Sequence, residues 1–198
     1  FDFFKKYELT DKDHKIIDNF CNKLKINWSS TPSHIDDVNY LEKFNLPFYK
    51  TGSDDLTNIP FLRQIAEKKR TMIISTGMSN LREIHETVNE IFKTGNEQII
   101  LLHCVVSYPS PHDESNLRAI ETMQKEFNLP IGLSDHTQDD LTSIIATTLG
   151  AKVIEKHLTL DYSLKLTDYK ASMNPKSFFE MTKKIKLVSD VFGSGKKK

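Results

Sequence analysis

Six times along this chain an apolar run ends in a short polar or glycine-containing signature: 26-INWSSTP, 48-FYKTGS, 71-TMIISTG, 99-IILLHC, 130-PIGLSDH and 153-VIEKHLTL. Nearly continuous apolar runs suit parallel strands buried on both faces. Polar residues gathered at the C-terminal ends of such strands are what a parallel α/β barrel uses to build its active site. The pattern predicts an α/β protein of the TIM (β/α)8 barrel class.

Helical segments separate the runs. Residues 10–24 have Thr10 as a predicted N-cap with Asp13 three residues on, and Ile16, Ile17, Phe20 and Leu24 on one predicted inward face. Residues 34–44 place Val38 and Leu41 inward, and 59–69, 79–93, 115–127, 138–149 and 175–192 follow the same logic. Ser79 and Pro175 mark helix starts, while Gly95 and Gly150 fall just past helix ends. Strand starts recur about every 20–30 residues, near the ~31 per unit of a 250-residue barrel.

Six units are too few to close an eight-stranded barrel, so the fold is read as incomplete, with the two N-terminal units missing. The chain opens on Phe1 without an initiator Met, which predicts a cleaved or truncated piece. An open doubly wound sheet is the alternative, but its usual glycine-rich phosphate loop is not visible. The expected organisation is a partial barrel over 1–192 and a solvated basic tail over 193–198.

The chain has 27 basic and 27 acidic side chains and a formal net charge of zero, which points away from nucleic acid and membrane surfaces as partners. No apolar stretch approaches the ~20 residues of a membrane span, and no signal peptide is expected. Cys21 and Cys104 imply no disulfide framework and predict buried free thiols in a reducing, cytoplasmic setting.

Side chains alternate across a strand. Ser134 and His136 therefore share a face, as do Val153, Glu155 and His157. If those faces point inward, His136 and His157 come from adjacent strands at similar height and can hold a divalent metal with an open position. His103 also ends a strand, and His14, His34, His85 and His112 are expected at the surface. A lysine pointing into a barrel needs an anion. Lys50, the amides of Thr51-Gly52-Ser53 and the Ser75-Thr76-Gly77 strand end resemble an anion pocket, or else an ordinary turn with a snorkelling lysine. Asp55, Asp135 and Asp168 are candidate acid/base groups or supporting partners, and also candidate caps. Tyr108 and Asn116 lie in 105-VVSYPSPHDESN, read as a loop covering substrate or as a long connection, and Arg118 is read as a helix-surface residue or salt-bridge partner.

Taken in order, these signatures resemble the N-acetylneuraminate (sialic acid) synthases and their legionaminate and pseudaminate relatives. The matching strings are Ser30-Thr31-Pro32, the run from Lys50 to Asn58, Ser75-Thr76-Gly77-Met78, Leu102-His103-Cys104, Tyr108-Pro109-Ser110-Pro111, the run from Asn116 to Ile120, the run from Gly132 to Thr137, Glu155-Lys156-His157 and Ser172-Met173-Asn174-Pro175. The resemblance implies a (β/α)8 barrel followed by a small antifreeze-like domain. It also implies metal-assisted condensation of phosphoenolpyruvate with an N-acetylated sugar aldehyde, N-acetylmannosamine or a related sugar. By resemblance, His136 and His157 match ligands of Mn2+ or Mg2+. Lys50, Ser53, Ser75 and Ser134 match phosphoenolpyruvate-binding positions, and Asp55, Tyr108 and Asp168 match positions that handle the sugar or sit by the reacting centre.

By resemblance, the barrel strands expected to carry a catalytic glutamate and a second lysine, and the expected C-terminal domain, lie outside these 198 residues. Val105 and Val106 stand where Thr and a small polar residue are usual, and Leu166-Thr167-Asp168 where Gly-Pro-Asp is usual. A homodimer is expected for the full-length enzyme. The isolated chain is expected to be inactive and self-associating through open edges at Asn27–Ser30 and Val153–Leu158. The competing readings are another phosphoenolpyruvate- or aldehyde-handling barrel, and a non-catalytic remnant that binds sugar, phosphate or a partner chain.

Overall fold

Five of the six apolar runs pair as strands: β1 (Phe48–Thr51), β2 (Thr71–Ser75), β3 (Ile99–Cys104), β4 (Ile131–Asp135) and β5 (Ile154–Lys156). The computed structural model describes residues 5–193 and 195–197, so Phe1–Phe4 and, within the predicted tail, Ser194 and Lys198 lie outside the described residues. The sheet is wholly parallel and its spatial order is its chain order, β1-β2-β3-β4-β5. Each crossover runs through a helix: α3 (Ile59–Ala66), α4 (Leu81–Lys93), α5 (Arg118–Phe127) and α6 (Leu141–Thr148). Helices α1 (Asp11–Leu24) and α2 (Ile35–Leu41) precede the sheet, and α7 (Pro175–Phe192) follows it.

Local chemistry sets the helix ends. Thr10 and Asp13 form the expected capping box, with Thr10 N–H donating to the Asp13 carboxylate at 2.9 Å. Helix α4 starts one residue later than expected, because the box is made by Asn80 and Glu83 rather than by Ser79. Gly95 and Gly150 take φ of 80° and 92° just past α4 and α6, a region that L side chains rarely enter. Pro175 opens α7, where its missing N–H is not needed.

Alternation divides the strand residues between two faces. Tyr49, Met72, Ile74, Ile99, Leu101, Ile131 and Leu133 pack into the main core with helix residues such as Leu62, Ile65, Ile84, Ile91 and Ile120. Val38 and Leu41 join that core as expected. The opposite face carries Lys50, Ser75, Cys104, Ser134 and Glu155. On it the β1 ammonium of Lys50 lies 3.5 Å from the β5 carboxylate of Glu155. In a flat sheet four strand spacings would separate those strands by roughly 19 Å. The contact therefore requires the sheet to curl, as in part of a barrel.

Several expectations are corrected. The run at 26–32 forms no strand: the Ser29 hydroxyl, rather than a backbone N–H, takes the Phe48 carbonyl at 2.9 Å, and Pro32 has no donor to give. Among the described residues the strands therefore number five rather than six, and the first edge is β1 rather than Asn27–Ser30. At the other edge, pairing ends at Lys156, but residues beyond it are not left open. Met173 N–H donates to the His157 carbonyl, and Thr159 N–H to the Met173 carbonyl, each at 2.9 Å. In α1, Ile16, Phe20 and Leu24 are 50–60% exposed, while Ile17, Asp18 and Cys21 lie on the packed side. His14 is accordingly not a free surface residue. Its ring packs against Trp28, Tyr40 and Phe44, at 5.3 Å from the Tyr40 ring. Cys104 is buried as expected, whereas Cys21 is only half-buried; both are free thiols. Among the described residues no helix is long and apolar enough to cross a membrane.

Candidate functional site at the strand ends

The inward residues near the ends of β1 to β5 form one connected polar cluster. Lys50 Nζ donates to Ser75 Oγ at 2.9 Å and to the Thr51 carbonyl at 2.7 Å. Its side chain is only 15% exposed, so the ammonium is held against the sheet rather than extended into solvent. Ser134 Oγ donates to Glu155 Oε1 at 2.7 Å, and Glu155 faces Lys50 in turn. Ser53 accepts from Gly77 N–H at 2.9 Å, which ties the loop after β1 to the loop after β2. Burial pushes the Cys104 thiol up, and hydroxyl contacts from Ser53 and Ser134 pull it back. Lys50, Ser53, Ser75 and Ser134 thus do converge, around Cys104 and Glu155.

The expected histidine pair meets as well. The His136 and His157 ring centroids are 5.2 Å apart. His136 Nδ1 lies 2.8 Å from the Val105 carbonyl. A carbonyl there selects the tautomer protonated at Nδ1 and leaves Nε2 with a free lone pair. Nε2 lies on the side of the cluster, 3.4 Å from Ser134 Oγ. Burial lowers the His136 pKa, opposed by the Val105 carbonyl, so the neutral ring is favoured near neutral pH. Tyr108 stacks on His136 at 4.0 Å between centroids and meets His157 edge-on at 5.7 Å. The loop carrying it is anchored by Ser110 N–H to the His136 carbonyl at 2.9 Å, and its Tyr108–Pro109 peptide is cis.

Other candidates fall at the rim or outside. Asp168 has φ of 61° and contributes, after burial and Cys104, to raising the Tyr108 phenol, which places its charge near that ring. Asp55 is half-buried and bonds Asn58, with Asn58 Nδ2 donating at 3.3 Å; no contact joins it to the cluster. Asp135 points to the helix side and pairs with Lys156. Asn116 and Arg118 are exposed. His34 is exposed at the start of α2, and His85 and His112 pair with Glu126 and Asp139. Strand alternation puts Glu155 on the face of His157, and the string Glu155-Lys156-His157 belongs to the family resemblance, but neither marks Glu155 as a site residue. Its place between Ser134 and Lys50 depends on the curl of the sheet.

His103, one residue before Cys104, faces the helices instead, with Nε2 2.9 Å from the Ser115 carbonyl. Burial lowers its pKa from 6.5, opposed by that carbonyl. The unfolded chain therefore binds the proton more readily, and stability falls as pH drops below 6.5 toward the lower folded value. Replacing His103 with Gln is expected to flatten the slope of unfolding free energy against pH in that window, as read by urea titrations. An unchanged slope would show that His103 does not contribute.

A parallel, curled α/β sheet with its polar groups gathered at the strand ends defines part of a (β/α) barrel with its site in the usual place. The chain belongs to the NeuB family, whose sequence model matches residues 1–197. It is 40% identical over 195 residues to an N,N'-diacetyllegionaminic acid synthase of Campylobacter jejuni, covering 98% of this chain and 58% of that protein. It is 35% identical over 188 residues to the N-acetylneuraminate-9-phosphate synthase of Mus musculus, covering 94% of this chain and 52% of that protein. The chain thus spans little more than half the length of these curated relatives. In structure it is similar to an N-acetylneuraminic acid (sialic acid) synthetase of Leptospira borgpetersenii solved in complex with citrate. That match has a TM-score of 0.93 and 31% identity, and covers 98% of this chain and 68% of the other.

Proposed function

We propose that this chain carries the anion-binding and metal-binding part of a sugar-acid synthase. The reaction would condense phosphoenolpyruvate with an N-acetylated sugar aldehyde, N-acetylmannosamine or a related sugar, to give a nonulosonic acid and phosphate. The observation that carries this reading is the bonded set Lys50, Ser75, Ser134 and Glu155, lying directly beside His136 and His157, whose rings meet edge-on. The names of the relatives support the class of product.

In this reading Lys50 and the hydroxyls of Ser53, Ser75 and Ser134 hold the phosphate and carboxylate of phosphoenolpyruvate. Holding the substrate fixes its C3 for attack on the aldehyde carbon, so that the reacting atoms are placed rather than met by diffusion. Water then adds at C2, and phosphate departs by C–O cleavage. Glu155 compensates the buried ammonium when no anion is present. Tyr108 and Asp168 border the aldehyde side, and Asp55 is assigned to the sugar by resemblance. His136 and His157 fit as ligands of Mn2+ or Mg2+, because the Val105 carbonyl leaves the His136 Nε2 lone pair facing the cluster. Among the described residues no third His, Cys, Asp or Glu joins them in a ligand set. A divalent ion there would supply Lewis-acid polarisation of the aldehyde oxygen.

The test is phosphate release by the full-length protein given phosphoenolpyruvate, N-acetylmannosamine and related aldehydes, and Mn2+. His136→Ala and His157→Ala are each expected to weaken Mn2+ binding about tenfold or more by calorimetry. Undiminished Mn2+ binding in both variants would remove the metal assignment, and no phosphate release with any aldehyde would remove the reaction.

A further inference from the structure

Behind the two imidazoles the sheet holds an ion pair that the proposed chemistry does not use. Asp135 and Lys156 are register partners across β4 and β5, and their side chains are 1% and 0% exposed on the helix side. Lys156 Nζ is 3.2 Å from Asp135 Oδ2. Asp135 Oδ1 accepts from the Thr137 N–H and hydroxyl, both at 2.8 Å, and Oδ2 accepts from Thr142 at 2.7 Å and from Ser143. Lys156 Nζ also donates to the Thr137 carbonyl. The carboxylate and the ammonium are thus enclosed by partners.

Stability alone is a poor reason to keep such a pair, since a well-packed apolar replacement is often as stable. Its position suggests another reason. Asp135 immediately precedes His136, and Lys156 immediately precedes His157. A slip of one residue between β4 and β5 would turn one imidazole to the helix side. Strand β5 is three residues long and Asp135–Lys156 is its last register pair, so few other contacts specify that end. The pair also grips Thr137, the residue after His136, through both its N–H and its carbonyl.

We propose that Asp135 and Lys156 are positioning residues, a buried pair that fixes the β4–β5 register and the backbone at 135–137 so that His136 and His157 face one ligand. This rests on the reading above that the two imidazoles act together.

The test uses the full-length protein and three variants, Asp135→Asn, Lys156→Met and the double variant. Two readouts are taken well below each melting temperature: Mn2+ affinity by calorimetry, and, without metal, the nuclear Overhauser contact between the two rings in histidine-labelled protein. Each single variant is expected to weaken Mn2+ binding about 10- to 100-fold and to lose the ring–ring contact. The double variant, having no unpaired buried charge, is expected to recover melting temperature without recovering either readout. Lowered melting temperature with wild-type affinity and ring contact would overturn the proposal and leave the pair a purely structural one. If a single variant fails to fold, the double variant decides by the same readouts. If His136→Ala and His157→Ala both leave Mn2+ binding intact, the metal assignment fails, and the ring contact still decides the positioning role.

Discussion

Replacing Lys50 with methionine is expected to weaken phosphoenolpyruvate binding in the full-length protein by roughly 2–5 kcal/mol, about thirtyfold to several thousandfold in Kd. The size follows from the burial of the group. Lys50 is 15% exposed, and its ammonium is held between Ser75 and Glu155. Methionine keeps the length of the stem and removes the charge, so the phosphate or carboxylate loses its cation in a partly desolvated site. It is also left facing Glu155, whose charge is then uncompensated, and like charges add to the loss. Calorimetric titration of phosphoenolpyruvate into wild type and variant measures the effect. Equal affinities would mean that Lys50 is a structural partner of Glu155 and that the anion binds elsewhere.

The second large effect is expected at Gly132. A Cβ there would lie 2.4 Å from the Val153 carbonyl oxygen and 2.6 Å from Leu102 Cδ2. The leucine can change rotamer, but the carbonyl is fixed, because it accepts from Leu133 N–H at 2.9 Å within the β4–β5 ladder. Gly132→Ala is therefore expected to destabilise by about 3 kcal/mol, the upper part of the usual range for overpacking. That is a large share of the ~5–15 kcal/mol of a typical domain. Gly132 shares a face with Ser134 and His136, so Mn2+ binding should weaken as well. Urea unfolding checks the first effect. An unshifted midpoint would show that β4 and β5 have room that the structure denies them.

Where sequence and structure agree, the signal was local. Strand alternation put Ser134 and His136 on one face of their strand, and Glu155 and His157 on one face of theirs, whatever the rest of the chain does. Thr10 and Asp13 made a helix start visible within four residues, and the ordered strings from Ser30 to Pro175 made the family legible. The misses came where the answer lay in another segment. The run 26–32 reads as a strand, but whether it joins the ladder depends on which group reaches the Phe48 carbonyl, and the Ser29 hydroxyl does. Ile16, Phe20 and Leu24 make a helical stripe, but periodicity does not say which stripe finds a neighbour, and the side carrying His14, Ile17 and Cys21 met the aromatic rings of Trp28, Tyr40 and Phe44.

By itself, then, the sequence determined the residue types at each strand end and the face on which each side chain lies, because the strand period is a covalent property of the chain. Only the tertiary structure decided that Lys50 reaches Glu155 across the curl, that the carbonyl of Val105 orients His136, and that Asp135 meets Lys156. Those contacts join residues 21 to 105 positions apart. Register and curvature between separate strands arise from the packing of the whole sheet.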